Sequence, residues 1–163
     1  MGIRFSADDV FEIAIQIEDN GAAFYRKAAN IQPDAKNRSF LNGLAAMEED
    51  HKKTFVGMRA SLIGGVEEML SFDPDGEASL YLQAISGSHG GEGSPSAAQS
   101  LTGKETMKDI VLIAMGLENK SILYYVGLKD MVKSKEGKTA IETIISEEQG
   151  HIVQLNRILS GLS

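Results

Sequence analysis

The sequence contains no cysteine among its 163 residues. This absence excludes disulfide bonds, thiolate metal sites and iron–sulfur clusters held by the chain's own side chains. Basic residues are outnumbered by acidic ones, so the formal net charge is −7 at pH 7. Because proteins that bind nucleic acids present a basic face, we expect no nucleic-acid partner.

Long apolar runs are missing as well. No uncharged apolar stretch reaches the roughly 20 residues of a membrane-spanning helix, and the first residues lack the apolar core of a signal peptide. We therefore expect a cytoplasmic protein with no membrane partner. Apolar residues make up 42% of the chain and charged ones 24%, which is typical of one soluble domain spanning residues 1–163.

Two glutamate–histidine pairs stand out against this ordinary composition. Glu48 precedes His51 by three residues, and Glu148 precedes His151 by the same interval. On a helix, side chains three residues apart leave from the same face. The second pair lies 100 residues after the first, which indicates a repeat rather than two chance matches.

Each pair belongs to a longer stripe of side chains with helical spacing, and two further stripes have a glutamate at their middle. A glutamate inside an apolar stripe breaks the local pattern, as functional residues do. The first two stripes recur 100 residues later, position by position. The four stripes are Phe11, Ala14, Glu18, Gly21, Tyr25, Ala28; Leu41, Leu44, Glu48, His51, Phe55, Met58, Leu62; Val111, Ala114, Glu118, Ser121, Tyr125, Leu128; and Ile141, Ile144, Glu148, His151, Leu155, Ile158, Leu162.

This repeat predicts an all-α fold in which two helical hairpins bury their stripes against each other as a four-helix bundle. We predict helices over about 7–30, 35–63, 103–133 and 138–160, with a linker over 64–101. The linker must travel the length of the bundle if the second and third helices run parallel. It also has slack, so two chains of a homodimer could exchange halves.

Local signals refine this outline. Thr102 and Glu105 form a capping-box pattern before the third helix. Within the linker we predict a turn over 73–76, a short amphipathic helix over 77–85 and a mobile stretch rich in glycine and serine over 86–100. His89 lies in that stretch and is interpreted as a loop residue.

The predicted bundle gathers four carboxylates and two imidazoles at one level. Burying four uncompensated carboxylates costs several kcal/mol per ion, so they must take up protons or attract cations. Two divalent ions would neutralise them, and oxygen ligands with one imidazole per ion suit iron or manganese, with zinc a common substitute. We favour Glu48 and Glu148 as ligands that bridge both ions. The predicted metal ligands are Glu18, Glu48, His51, Glu118, Glu148 and His151.

The alternative interpretation is that these are exposed polar residues or satisfied core histidines. It leaves unexplained why polar residues fall in mid-stripe four times.

These residues resemble the rubrerythrin family of the ferritin-like superfamily. The two Glu-x-x-His pairs are similar to the family's second and fourth helices. The first and third helices resemble the segments that carry Glu18, Gly21, Phe24, Tyr25 and Glu118, Ser121, Tyr124, Tyr125.

The resemblance implies a ferritin-like fold with a non-haem di-iron site that reduces hydrogen peroxide or oxygen at the expense of ferrous iron. It also implies that Tyr25, and by the repeat Tyr125, hydrogen-bond to a ligand carboxylate or a bound oxygen species; the alternative is plain core packing. Rubrerythrins have an additional glutamate where this chain has Ser121, so the resemblance does not supply that ligand. Without cysteine, electrons must come from a separate rubredoxin-like protein or a small reductant.

Two other functions stay open at this point. One is a ferritin-like ferroxidase or iron-storage protein, which requires a large multi-subunit shell. The other is a metal-free interaction bundle whose glutamates are protonated or solvated. Metal analysis and particle size distinguish the three.

Overall fold

A computed structural model describes residues 7–61, 76–86 and 96–162. The described residues form helices and no β-sheet. The helices are α1 (Ala7–Ile31), α2 (Ala35–Ser61), α3 (Glu77–Ser86), α4 (Ala97–Ser100), α5 (Met107–Met131) and α6 (Lys135–Gly161).

The four long helices form two hairpins, α1 with α2 and α5 with α6, as the repeat predicts. Short connections, 32–34 and 132–134, join the members of each hairpin and make them antiparallel. Nearly all predicted stripe positions are buried in the bundle. Leu162 is an exception, because α6 ends at Gly161 and leaves it exposed; Gly21, Met58 and Ile158 are half-buried, and Leu62 lies outside the described residues.

The apolar core has two parts, one toward each end of the bundle. One part includes Phe11, Ala14, Phe55, Leu128, Ile141 and Ile144. The other includes Tyr25, Ala28, Leu41, Leu44, Val111, Ala114 and Leu155. The N-terminal halves of α2 and α5 both lie in the second part, so these helices run parallel. The linker therefore crosses from one end of the bundle to the other, as predicted.

The linker is held against the bundle at both ends. Leu82 of α3, a helix that the sequence predicts over 77–85, joins the core beside α5. Near the opposite end, the Lys27 ammonium donates to the carbonyl oxygens of Ala98 (2.7 Å) and Leu101 (3.2 Å). The prediction of a mobile stretch is thus wrong for Ser86, which ends α3, and for residues 96–100, which form α4 and its N-terminal cap. Residues 87–95 of that stretch, which include His89, lie outside the described residues. The predicted turn over 73–76 also lies outside them, except for Gly76.

The third long helix begins at Met107 and not at 103. The Glu105 carboxylate accepts hydrogen bonds from the backbone N–H groups of Thr102 (2.6 Å) and Gly103 (2.9 Å), which closes a turn before the helix. Gly103 has a φ of 90°, a conformation that interrupts an α-helix. The capping box is made by Thr106 and Asp109 instead.

The fourth long helix begins at Lys135, three residues before its predicted start. Ser134 caps it by accepting a hydrogen bond from the N–H of Gly137 at 3.0 Å. The predicted helix bounds leave residues 134–137 as a break that includes Gly137. Gly137 is instead a helical residue at a tight contact, since an added Cβ would lie 2.7 Å from a side-chain carbon of Val132.

Of the described helices, α5 is long and apolar enough, by length and composition alone, to cross a membrane. A core helix of a soluble protein passes the same test. One face of α5 is buried against the other helices and carries the charged residue Glu118. The opposite face of α5 exposes apolar side chains such as Leu112 and Leu123. The cytoplasmic location stays a prediction.

The cap at Thr106 yields a stability prediction. Replacing Thr106 with alanine removes the side-chain acceptor at the start of α5 and should lower the free energy of unfolding by about 1 kcal/mol. For a domain of this size that is a fall in Tm of roughly 2–4 °C. Thr143→Ala, on the exposed face of α6, is the control; equal melting temperatures for the two variants would contradict the assignment of the cap.

Candidate metal centre

All six predicted ligand residues are buried, and they meet between the two parts of the apolar core. Glu18 and Glu118 come from α1 and α5, and the two glutamate–histidine pairs from α2 and α6. None of the six is more than 3% exposed. The interpretation of these side chains as exposed polar residues is therefore wrong.

The six residues form two overlapping groups of potential metal ligands. Each group has its own glutamate and histidine: Glu18 with His51, and Glu118 with His151. Both groups include Glu48 and Glu148, and the ligand atoms within each group lie within 4.8 Å of one another. The two shared carboxylates are those that the sequence analysis favours as bridges; bridging itself stays a prediction.

Both histidines direct Nδ1 into the cluster. His51 Nδ1 lies 3.1 Å from Glu148 Oε1 and 3.5 Å from Glu18 Oε2. His151 Nδ1 lies 2.8 Å from Glu148 Oε2 and 3.4 Å from Glu48 Oε1. The rings stack with centroids 5.8 Å apart, so the two imidazoles lie side by side in the cluster.

Burial and mutual repulsion disturb the protonation of the carboxylates. Burial raises the pKa of Glu18 and Glu48, and that of Glu118 to about 7. Glu148 differs: the positively charged rings of His151 and His51, whose Nδ1 atoms lie 2.8 Å and 3.1 Å from its carboxylate oxygens, outweigh its burial and lower its pKa to about 2.

The histidine rings respond in the opposite sense. Burial lowers their pKa, but the surrounding carboxylates outweigh it and raise the pKa of His51 to about 11 and that of His151 to about 12. Without metal, the cluster thus offsets part of its negative charge with protons on the imidazoles and carboxylates.

Protons do not satisfy every polar atom of the cluster. Among the described residues, four of its buried atoms lack a hydrogen bond of acceptable geometry: Glu18 Oε2, Glu48 Oε1, Glu148 Oε2 and His151 Nδ1. Buried polar atoms are rarely left without a partner, and those that are need an explanation such as an ion. All four belong to the candidate ligand groups, so the donor set fits bound cations.

The two predicted tyrosines connect the hairpins. The Tyr25 hydroxyl donates a hydrogen bond to Glu118, and the Tyr125 hydroxyl donates one to Glu18. Burial, with the neighbouring carboxylates, raises the pKa of both phenols well above the usual value, so they stay protonated donors. The tyrosines therefore do more than pack; a catalytic role for them stays a prediction.

Gly21 and Ser121 occupy equivalent positions in the repeat but contact different groups. A Cβ added to Gly21 would lie 2.8 Å from Glu48 Oε2, so the absence of a side chain gives that carboxylate its room. The Ser121 hydroxyl donates to the Leu117 carbonyl of its own helix at 3.1 Å.

The contact at Gly21 predicts the effect of one methyl group. Gly21→Ala should displace the Glu48 carboxylate and weaken metal binding at least about tenfold, while the helix itself gains from alanine. Gly43→Ala, where an added Cβ meets nothing within 4 Å, should bind metal as the unmodified protein does. Calorimetric titration with manganese compares them, and equal affinities in the two variants would refute the expected displacement.

Two residues behind the histidines are absent from the sequence prediction. Glu147 Oε2 lies 2.8 Å from His51 Nε2, and Met47 Sδ lies 3.3 Å from His151 Nε2. Each precedes a shared glutamate, and they are repeat equivalents (147 − 47 = 100). Each contacts a histidine of the opposite hairpin, and such a contact has no signature in local helical spacing.

Comparison with known proteins agrees with this architecture. No family model matches the chain, and no curated protein matches it. A Thermotoga maritima protein described as a candidate ferritin-like diiron-carboxylate protein has a crystal structure that superposes with a TM-score of 0.71 at 20% identity, over 100% of both chains. A hypothetical protein from Pyrococcus furiosus gives a TM-score of 0.70 at 20% identity, over 96% of this chain and 89% of that one. At this identity the likeness concerns the fold: the chain has the ferritin-like helical bundle that its sequence predicts.

Proposed function

We propose that the chain is a di-iron protein that reduces hydrogen peroxide, or oxygen, with electrons from a separate donor. The observation that carries the proposal is the pair of buried ligand groups that share Glu48 and Glu148. Four carboxylates match the charge of two divalent ions, and the atoms left without hydrogen bonds are ligand atoms.

The ligand chemistry narrows the choice of metal. Each position offers carboxylate oxygens and one imidazole nitrogen, and the chain has no thiolate. This set suits iron or manganese and also accepts zinc. The Thermotoga maritima neighbour is described as a diiron-carboxylate protein, which favours iron here. When bound, two ferrous ions supply the two electrons that, with two protons, reduce one peroxide to two waters.

The protein's own groups would hold this site in shape. Glu48 and Glu148 are within reach of both positions, so they keep two cations close together. The phenols of Tyr25 and Tyr125 orient Glu118 and Glu18 by hydrogen bonds from the opposite hairpin. The apolar core on either side limits the access of water. These features support the proposal of a site for a small reactant such as peroxide.

The electron donor would be a separate molecule. The chain has no cysteine with which to build a rubredoxin-type iron site, so electrons must cross from a rubredoxin-like partner or a small reductant. We propose that the protein is a homodimer when it receives electrons from this donor.

The test is anaerobic loading with ferrous iron followed by mixing with peroxide. Loaded protein should bind two iron ions per chain and consume peroxide as the ferric absorption rises. Glu148→Ala is the comparison, and Glu136→Gln, on an exposed part of the same helix, is the control. If the loaded protein consumes peroxide no faster than Glu148→Ala, the peroxidase function fails.

The ferritin-like fold also supports a second candidate, ferrous iron oxidation with storage. Storage requires a hollow shell that holds far more than two ions per chain. Gel filtration and the ratio of iron to protein distinguish the candidates: a very large particle favours storage, and a dimer with two ions favours peroxide reduction.

A further inference from the structure

The two candidate metal positions have matching ligands. Each has one glutamate and one histidine Nδ1 of its own, and each shares Glu48 and Glu148. The unshared glutamate of each position accepts a hydrogen bond from a tyrosine of the opposite hairpin. On ligands alone, the two positions should bind an ion equally well.

The two positions differ in the residue that contacts the outer ring nitrogen, Nε2, of each histidine. His51 Nε2 faces the Glu147 carboxylate at 2.8 Å, whereas His151 Nε2 faces the Met47 thioether at 3.3 Å. Once Nδ1 binds an ion, Nε2 carries the proton and donates it outward. A carboxylate is a strong, charged acceptor of that hydrogen bond, and a thioether is a weak, neutral one.

An acceptor that hydrogen-bonds to the outer ring nitrogen of a histidine changes how strongly the other ring nitrogen binds a metal ion. A carboxylate that accepts the outer N–H makes the opposite ring nitrogen more basic and holds the ring in place. Glu147 also adds a negative charge near one position only. Its side chain is 43% exposed, so solvent moderates the effect and leaves the ring's basicity as the main difference.

Gly21 and Ser121 also differ between the halves near this level. The Ser121 hydroxyl donates to the carbonyl of Leu117, so it adds no donor or acceptor to the ligand groups. Residues 147 and 47, in contrast, contact the outer nitrogens of the two imidazole rings directly.

We propose that the two metal positions are unequal, that Glu147 makes the position of His51 and Glu18 the tighter one, and that this position fills first. The proposal rests on the metal-binding part of the proposed function and on no redox step. Removing an outer partner of a metal-bound histidine typically lowers affinity about 10- to 100-fold. We expect a gap of that size between the first and the second ion.

Zinc titration followed by NMR of the histidine ring nitrogens tests the order of filling. The chain has three histidines, so His89→Gln and His51→Gln assign their signals. At one zinc per chain the His51 ring signals should shift to their metal-bound positions. The His151 signals should follow only as the second equivalent is added.

Exchanging the two outer residues is the decisive variant. In the double variant Glu147→Met with Met47→Glu, the carboxylate lies behind His151, and the order of filling should invert. A variant that is merely destabilised would not reverse the order. Glu136→Met removes the same charge from the same helix, about 16 Å from Glu147 along its axis, and should leave the order unchanged.

The possible results separate this inference from the proposed function. Two zinc ions that bind with equal affinity, His151 filling first, or an exchange that leaves the order unchanged would each overturn the inference while metal binding stands. No zinc binding by the unmodified protein would overturn metal binding and the inference together. Since Zn²⁺ is not redox-active, these measurements do not depend on whether the protein reduces peroxide.

Discussion

Glu148→Gln should abolish the binding of both metal ions. Glu148 belongs to both ligand groups and lies within 3.1 Å of a ring nitrogen of each histidine. Glutamine keeps the shape of the side chain but removes its charge and one ligand oxygen. The loss should exceed the roughly 10- to 100-fold typical of an outer partner, and peroxide consumption should fall with it. Metal analysis after dialysis and calorimetric titration measure the change.

Glu18→Gln is the matched comparison, because Glu18 is a candidate ligand of one metal position only. Glu18 belongs to the group of His51 and not to that of His151. This variant should therefore retain one ion, while Glu148→Gln retains none. If the two variants lose the same number of ions, the assignment of Glu148 as a shared ligand is wrong. Far-ultraviolet circular dichroism confirms that both remain helical.

Metal loading should stabilise the protein strongly, and more so as the pH rises. An ion present at about a thousand times its Kd adds roughly 4 kcal/mol to the free energy of unfolding. For a domain of this size each such ion raises Tm by roughly 8–16 °C. Calorimetric scans with and without manganese, between about pH 5.5 and about pH 7.5, measure the difference in Tm.

The sign of the pH dependence follows from the pKa shifts. Glu118 has its pKa raised from 4.5 to about 7, so its contribution to stability is full below 4.5 and disappears as the pH rises to about 7. The contributions of the two histidines are full below 6.5 and decline toward their folded values of about 11 and 12. Glu148 behaves oppositely, since its contribution is lost only as the pH falls toward about 2.

The metal-free protein should therefore lose stability from mildly acidic to neutral pH. Bound ions replace the protons of the cluster, so metal binding strengthens over the same range. The difference in Tm between the two forms should widen as the pH rises. A constant or shrinking difference would show that protons do not compete with metal in this cluster. Glu148→Gln, measured in parallel, should show little difference at any pH.

The spacing of side chains along the sequence was enough to predict the bundle and its polar layer. Glu48 with His51 and Glu148 with His151 lie on helix faces whose periodicity is local, and the 100-residue repeat pairs each face with a second one. A stripe that is apolar except at its middle has few ways to be buried. The fold and the clustering of the six residues follow from that constraint. The structure confirms the helical bundle and brings the six side chains together, while their role as metal ligands stays a prediction.

Helix ends depend on weaker local differences, and two of them were predicted wrongly. Two threonines, Thr102 and Thr106, lie four residues apart and each begins a capping-box pattern. The turn closed by Glu105 and the positive φ of Gly103 prevent a helix from starting at Thr102, so the helix starts after Thr106. The sequence predicts a break over residues 134–137, whereas α6 begins at Lys135 and includes Gly137. Its tight contact with Val132 explains a glycine inside the helix, and that contact exists only once the chain turns back on itself.

The sequence by itself determined which residues line the interior, because burial depends on a helical period that each segment carries alone. Only the tertiary structure decided which groups contact these interior residues from the other hairpin. Glu147 contacts His51 and Met47 contacts His151. Tyr25 and Tyr125 donate hydrogen bonds to Glu118 and Glu18. These contacts join segments about 100 residues apart, and their identity depends on the rotation and height at which the hairpins pack. No local periodicity carries that information.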